Sequence, residues 1–409
     1  MNLKRNLMWN TVGNIYYLAA QWLTTILIIR LTGNYEDAGI YSVAMSLSNI
    51  FCIVASYNVR NFQTSDLKNE YSNSDYIAHR FTTIAIALVA CIIFSVITYR
   101  SIYTISIIFF YTLFRIGDSF VDALHGINQK HDRMDIIGKS CIIRGTYLLI
   151  AFCVCELATK NLLITVLAMT VGAFLFIVIY DVKKTASIDN IKVIFQWEKI
   201  KKLYVACFPM LIYGVALNIT ASLPRVTAEK MVGAELLGYY SSVATPAVVV
   251  QSLLNVIFAP FIVSFTRYYE EKKKKEFYGL AWKLIIFCIC VGIFAVIGSI
   301  LLGKWVLVDI LYQDQALIPY CYLLNTTMVC TSMMALIWLL AILLTITRSI
   351  YSLSFATIIG TAVEFVLSHV LISNMGLDGI NYSLIISYLI TIIFMGIFLA
   401  RKLKKHFSE

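Results

Sequence analysis

Residues 280–302 read LAWKLIIFCICVGIFAVIGSILL, an apolar run with one charged residue, Lys283. A helix needs about 20 mostly apolar residues to cross the hydrocarbon core of a bilayer, and this run is long enough. Only helices and closed barrels satisfy their backbone groups in lipid, and a barrel strand would alternate apolar and polar residues. The run therefore predicts a membrane-spanning helix.

Runs of this kind recur about twelve times and leave little chain between them. The whole sequence is 60% hydrophobic and 14% charged, with a mean hydropathy of +0.80, whereas a soluble domain has roughly 25% charged residues. We therefore predict an all-α integral membrane protein with about 12 transmembrane helices. We place the spans at 7–31, 38–59, 81–99, 102–124, 136–155, 162–180, 203–223, 237–265, 280–302, 317–346, 350–372 and 377–400.

The positions of the Lys and Arg residues predict the orientation of these spans. Most of the 33 fall in connections on the same side as the N-terminus, among them Arg60, Arg80 and Arg144. Cytoplasmic connections carry the excess of positive charge, so both termini are expected in the cytoplasm. The net charge of +10 is then explained by orientation and by attraction to anionic lipid. We expect no nucleic-acid partner, because no basic soluble segment is present.

Motifs of catalysis and of metal binding are missing from the sequence. The ten cysteines fall mostly inside spans, at spacings unlike those of a metal site. No phosphate-binding loop occurs, and no paired carboxylates lie in a soluble segment. We therefore predict that the protein is not an enzyme and has no cofactor and no metal.

The longest cytoplasmic connection divides the predicted spans into two sets of six. We predict an N-terminal lobe over 1–181, an amphipathic cytoplasmic linker over 182–202 and a C-terminal lobe over 203–409. Apolar residues in the linker recur near helical spacing, which favours a helix on the inner leaflet.

The two predicted lobes share a sequence pattern. Arg30 precedes Gly39–Ile40–Tyr41–Ser42 at the start of the second span, and Arg225 precedes Gly238–Tyr239–Tyr240–Ser241 at the start of the eighth. With six spans in each half, this pattern indicates a parallel repeat, whose substrate site is expected between the halves.

Ionisable residues within spans are the best indicators of function, because each is costly in lipid unless it has a partner or faces a cavity. Arg115, Asp118 and Asp122 share one face of the fourth span. They could form an internal ion pair, contact a phosphate, or bind a proton or sodium ion. Glu364, in the eleventh span, is a further candidate for ion coupling.

Arg30 and Arg225 lie near the outer ends of the first and seventh spans. They would either extend to the lipid headgroups or bind a diphosphate across the predicted cleft. Gln21, Asn49 and Asn218 could hydrogen-bond sugars in the cavity, although such residues also hold helices together.

The chain resembles the polysaccharide repeat-unit flippases, which belong to a superfamily with the MATE drug exporters and the lipid II flippase. The resemblance rests on Asn14–Ile15–Tyr16, Gly39–Ile40–Tyr41–Ser42, Val59–Arg60–Asn61–Phe62–Gln63, His125–Gly126–Ile127–Asn128–Gln129–Lys130 and Leu237–Gly238–Tyr239–Tyr240–Ser241. It covers the chain in length, number of spans and topology.

This resemblance implies a MATE-like, V-shaped transporter of two pseudo-symmetric six-helix bundles with a cationic cavity. Such a protein would flip polyprenyl-diphosphate-linked oligosaccharide units to the outer leaflet by alternating access, for capsule, O-antigen or other surface polysaccharide. It would act as a monomer in the bacterial inner membrane, with Na⁺ or H⁺ as a coupling ion and a polymerase and chain-length proteins as partners. Lipid II flippases usually have two further spans.

Three other functions stay open from the sequence. A MATE-type exporter would carry cationic drugs, but the excess of arginine over carboxylate favours an anionic substrate. A membrane polysaccharide polymerase or glycosyltransferase would need a larger region outside the membrane. An ion channel is disfavoured by the internal repeat.

Overall fold

The computed structural model describes residues 3–65, 71–189, 191, 193–258 and 261–408. These residues form helices and connections, without a strand. The helices are α1 Leu3–Thr32, α2 Tyr35–Ser56, α3 Val59–Ser65, α4 Asn73–Thr98, α5 Ile102–Lys130, α6 Met134–Thr159, α7 Leu162–Phe176, α8 Lys183–Ala186, α9 Trp197–Val232, α10 Ala234–Phe258, α11 Phe261–Glu270, α12 Lys274–Lys304, α13 Leu323–Ile346, α14 Ile350–Met375 and α15 Asp378–Ser408. π-helical turns at Ile177–Val182 and Trp305–Tyr312 continue α7 and α12, and a 3₁₀ turn covers Gln315–Tyr320.

Eleven helices in the described part of the chain are long and apolar enough to cross a membrane. The helix α10, with 25 residues, lies where the eighth span was predicted. The prediction of an all-helical, multi-pass membrane protein with about twelve spans is thus confirmed.

Proline explains one of two boundaries that differ from the predicted spans. The predicted tenth span began at Leu317, but Pro319 lies in a 3₁₀ turn and α13 begins at Leu323. Proline has no amide hydrogen and its ring obstructs a helix interior, so the regular helix starts after it. The predicted eighth span ran past Phe258, where α10 ends. Pro260 in that predicted span lies outside the described residues.

The predicted helix of the linker is shorter in the structure. Ile191 and residues 193–196 are not helical, and α9 begins at Trp197 and continues through the seventh predicted span without a break. The aromatic and β-branched residues between 191 and 195 lower the helix propensity of this segment. Residues 190 and 192 of the linker lie outside the described ranges.

Contacts divide the chain into two compact units, Met1–Asn218 and Ile219–Glu409. Within the first unit, α1 packs along α6, and α5 packs against α2, α4 and α7. Within the second, α15 packs against α13 and α14, and α13 also packs against α10 and α12. The boundaries predicted at 181 and 203 stay a prediction.

The repeated Tyr of the sequence pattern is buried in both units. The Tyr41 hydroxyl lies 3.0 Å from the Thr24 hydroxyl of α1. In the second unit, the Tyr240 hydroxyl donates to the Asn381 Oδ1 atom of α15 at 2.7 Å. Both tyrosines are about 2% exposed. A buried hydroxyl needs a partner, so each motif fixes the start of its helix against another helix of its own unit.

Glycines bring α1 and α6 close together. A Cβ atom on Gly138 would collide with the Trp9 carbonyl oxygen, and one on Gly13 would collide with the Gly138 backbone. Small residues allow helix backbones to approach closely, which is a common basis of helix association in membranes.

We expect Gly138→Ala to lower the thermal unfolding temperature in detergent, because α1 and α6 must separate. Overpacking of this kind costs about 1–3 kcal/mol. Gly298→Ala in α12 is the matched control, because its Cβ would meet nothing within 4 Å. Equal unfolding temperatures in the two variants would contradict the close approach.

Candidate functional site: an arginine–aspartate cavity

A cavity of about 320 Å³ lies within the first unit. The fourth predicted span, now α5, contributes Arg115, Asp118, Ser119 and Asp122 to its wall. The rest of the lining comes from the end of α2 and the start of α3: Cys52, Ile53, Ser56, Asn58 and Arg60. The three charged residues predicted to share a helix face therefore do line one space.

Asp118 is the centre of one charged group. The Arg144 guanidinium of α6 contacts Asp118 Oδ1, and Arg115 Nη1 lies 3.5 Å from Asp118 Oδ2. The Tyr17 hydroxyl donates to Asp118 Oδ1 at 2.7 Å, and Gln21 Nε2 donates to Oδ2 at 3.4 Å. Two cations and two neutral donors from α1, α5 and α6 thus hold one carboxylate.

Asp122, one turn further along α5, has two arginine partners of its own. Arg60 Nη1 lies 2.8 Å from Asp122 Oδ1, and Arg80 Nη2 lies 3.3 Å from Oδ2. Arg60 also donates to Gln129 Oε1 at 3.2 Å, and Arg80 donates to the Ala55 carbonyl oxygen at 2.9 Å. This carboxylate connects α3 and α4 to α5.

The four arginines differ in their access to the cavity. The side chains of Arg80 and Arg144 are 2% and 6% exposed, and neither lines the cavity. The side chains of Arg60 and Arg115 are 33% and 22% exposed and do line it. Because the two carboxylates balance only two of four positive charges, the group has a net charge of +2. The excess positive charge is carried where a ligand could reach it.

Donor groups at this wall suit an anion. Arg115 Nε is buried and has no hydrogen-bond partner among the described residues. Guanidinium groups bind phosphate with two parallel hydrogen bonds, and an unpaired buried donor is costly until a partner arrives. Within the described residues, no group of three or more His, Cys, Asp or Glu side chains could hold a metal ion.

The other predicted residues of the first unit lie outside this lining. Gln21 donates a hydrogen bond to Asp118 but is not itself a lining residue. Asn49 is half-buried on α2, one turn before Cys52 and Ile53. Arg30 is exposed in the last turn of α1. Asn218 donates to the Gly214 carbonyl oxygen within its own helix at 2.8 Å.

The predicted residues of the second unit have neutral polar groups near them. Glu364 is fully buried on α14, and neither of its carboxylate oxygens has a partner in hydrogen-bond geometry among the described residues. The hydroxyls of Ser383 and Ser387 on α15 interact with it electrostatically. Arg225 is half-buried on α9 and interacts electrostatically with Tyr240 and with Tyr388 of α15.

Three arginines of the site were not identified from sequence. Arg60, Arg80 and Arg144 were counted as cytoplasmic orientation charge, and Tyr17 was not singled out. Arg144 could have been identified from the sequence, because it lies inside the span predicted over 136–155. A charged side chain there costs as much free energy as Arg115 does in its own span. Arg60 is the second residue of α3 and Arg80 directly precedes the span predicted over 81–99, and a solvated arginine is normal at either position.

Solved structures share this fold. An inward-facing multidrug resistance MATE transporter of the MOP superfamily superposes with a TM-score of 0.70 at 12% identity, over 99% of both chains. The lipid II flippase MurJ, in an inward closed conformation, superposes with a TM-score of 0.70 at 10% identity, over 98% of this chain and 90% of that one. Identities this low show similarity of fold.

Sequence comparison identifies a relative and a family. The capsular polysaccharide biosynthesis protein CapF of Staphylococcus aureus is 25% identical over 303 residues, which are 73% of this chain and 75% of that protein. The family model described as "Polysaccharide biosynthesis protein" matches residues 3–265, more than half of the chain and all of the cavity lining. The chain belongs to the polysaccharide biosynthesis protein family.

Proposed function

We propose that this protein is a flippase that moves an oligosaccharide linked to polyprenyl diphosphate from the inner to the outer leaflet of the bacterial cytoplasmic membrane. The observation that carries the proposal is the cavity with two accessible arginines and a net charge of +2 in a membrane-spanning unit. Membership of a polysaccharide biosynthesis family supports the class of substrate. The similarity in fold to transporters supports the movement of a substrate.

The arrangement of the arginines favours a diphosphate as the charged part of the substrate. Arg80 and Arg144 neutralise Asp122 and Asp118 from the buried side, so Arg60 and Arg115 keep excess positive charge beside the cavity. A diphosphate linkage has two negative phosphate groups, and a planar guanidinium group can donate two parallel hydrogen bonds to phosphate oxygens. A cationic drug would be repelled, so the charge disfavours the MATE-type exporter.

Each component of the wider proposal has its own support. Excess Lys and Arg in alternate connections supports cytoplasmic termini. The buried Glu364, without a hydrogen-bonded partner, supports coupling to H⁺ or Na⁺. Asp118 and Asp122, each with two arginines, are better suited to holding charge in place than to binding an ion. Polymerase and chain-length proteins would use the product on the outer leaflet.

The proposal is tested by lipid extraction from cells depleted of the protein, with detection of diphosphate-linked oligosaccharides in each leaflet. We expect complete repeat units to accumulate on the cytoplasmic leaflet. Single units that reach the outer leaflet without being joined would indicate a polymerase instead. Unchanged lipids together with new drug sensitivity would indicate an exporter.

We expect Arg115→Gln to weaken binding of a short-chain polyprenyl diphosphate to the purified protein roughly 10- to 100-fold, because a charge-assisted contact is worth about 1.5–3 kcal/mol. Tryptophan fluorescence or calorimetry in nanodiscs measures the affinity. Arg100→Gln is the matched control, an exposed arginine beyond α4 and outside the cavity lining. An equal loss in both variants would contradict a specific site.

Arg30 and Arg225 are proposed as further diphosphate contacts. We expect Ala at either position to reduce transport in proteoliposomes while leaving membrane insertion normal, and we expect Lys to restore part of the rate, since it keeps the charge but not the bidentate geometry. Full transport by both Ala variants would exclude this role.

Glu364→Gln tests ion coupling separately from substrate binding. We expect transport to lose its response to an imposed H⁺ or Na⁺ gradient, while the affinity for diphosphate stays within about twofold of the wild type. Glu235→Gln, in the first turn of α10, is the control. A gradient response that survives in Glu364→Gln would remove this residue from the coupling mechanism.

A further inference from the structure

Asp181 is a buried carboxylate that lacks the partners its neighbours have. Its side chain is 1% exposed, and neither oxygen makes a hydrogen bond among the described residues. The carboxylates of Asp75, Asp118, Asp122 and Asp135 each have a Lys or Arg nitrogen within 4.0 Å. An isolated ionised carboxylate is very costly in an apolar interior, so Asp181 needs a positive charge or a proton.

His125 is the cationic partner within reach. Its Nε2 atom lies 3.6 Å from Asp181 Oδ1, its side chain is 7% exposed, and Nε2 has no hydrogen bond to any described residue. Histidine is the side chain whose charge changes in the physiological pH range. One proton on this pair converts the neutral imidazole into an imidazolium and balances Asp181 without any other change in bonding.

No other group that faces this pair forms an ion pair with Asp181 among the described residues. Arg60 of α3 and Arg80 of α4 contact Asp122, which lies one turn before His125 on α5. Other titratable groups nearby are Cys141 of α6 and Tyr180 of the π-helical turn, both of which interact electrostatically with Asp181, Arg133 and Asp135, which interact with Tyr180, and Lys183 and Lys184 of α8, which are exposed. Cys and Tyr side chains are neutral at pH 7 unless strongly perturbed.

The pair joins α5 to the π-helical turn Ile177–Val182, which carries Asp181. The same turn packs on α5 through Ile177, whose Cδ1 atom would lie 3.1 Å from a Cβ on Gly117. Single π turns within α-helices occur frequently at functional sites. A change in the charge of His125 would therefore alter the attraction between α5 and this π-helical turn, which contacts α5 near Gly117 and at His125.

His125 also lies on the charged face of α5. At about 100° per residue, Arg115, Asp118, Asp122, His125 and Gln129 fall within roughly 80° of one another around the helix. His125 thus lies one turn from the carboxylate that holds Arg60 at the cavity. A positive charge there favours an anion in the cavity, and by linkage a bound anion favours the proton.

We propose that His125 and Asp181 form a proton-binding site in the first unit, separate from the cavity, whose protonation strengthens anion binding by Arg60 and Arg115. The link to anion binding rests on the proposed function, whereas proton binding does not.

Proton binding is tested by ¹⁵N-imidazole NMR of the full chain in nanodiscs without substrate. The sequence has five histidines, so substitution of the other four assigns His125. We expect the His125 signal to include the charged imidazolium form in the wild type. We expect Asp181→Asn to reduce the charged fraction at the same pH, because the carboxylate that stabilises the imidazolium is removed.

The pair His131–Asp189 is the matched control. It has the same chemistry, with 3.5 Å between His131 Nε2 and Asp189 Oδ2, but its side chains are 43% and 36% exposed. Asp189→Asn should change the charged fraction of His131 much less, because solvent screens the pair. A His125 that is neutral in the wild type, or whose charged fraction is unmoved by Asp181→Asn, would overturn the proposal. Where Asp181→Asn does not fold, the charge state of His125 with Asp181 intact decides alone.

The link to the cavity is tested by binding of inorganic diphosphate at several pH values. We expect the affinity of the wild type to rise about tenfold as the pH falls, after correction for protonation of the ligand, and we expect His125→Gln but not His131→Gln to abolish this rise. A pH-independent affinity in the wild type would overturn the link. Absence of diphosphate binding together with a charged His125 would contradict the proposed function and leave the proton site standing.

Discussion

A carboxylate in an apolar interior is stable only with a cation beside it, and this constraint organises the first unit. Asp118 and Asp122 on α5 are reached by Arg144 from α6, by Arg60 from α3 and by Arg80 from α4, and Tyr17 of α1 adds a hydroxyl. Loss of one arginine would leave its carboxylate with a single cation and would weaken the connection between two helices. The charged face of α5 is therefore the point at which five helices are held together.

The same pairing produces the functional surface. Two arginines satisfy the carboxylates from the buried side, and two more approach from the cavity. The carboxylates hold all four guanidinium groups close together despite their mutual repulsion. The result is a net positive wall inside a membrane-spanning unit, with its positive groups fixed before a substrate arrives. Preorganised charge of this kind reduces the cost of ordering side chains on binding.

The second unit is held mainly by neutral groups. Asn381 accepts from Tyr240 and donates to Thr326 and Thr327, so one amide joins α10, α13 and α15. Buried Glu364 interacts electrostatically with Tyr240 of this network, and it has serine hydroxyls near it but no described Lys or Arg within 4.0 Å. The two units thus have different chemistry around similar sequence motifs, which is consistent with different roles for them in a transport cycle.

The number and type of helices, the repeated Gly–x–Tyr–Ser pattern and the shared face of Arg115, Asp118 and Asp122 follow from the sequence alone. Hydropathy and the helical period are local properties, and lipid permits few alternatives to the helix. The start of α13 after Pro319 and the start of α9 at Trp197 could be predicted only approximately, because helix boundaries depend on the balance between helix propensity and tertiary packing. Which arginines reach Asp118 and Asp122 was decided by tertiary structure alone. Arg60, Arg80 and Arg144 lie on three helices other than α5. Sequence spacing does not encode which neighbouring helix a long side chain will contact. The His125–Asp181 pair was beyond sequence reasoning for the same reason, since only the packing of α5 against the π-helical turn brings the two side chains together.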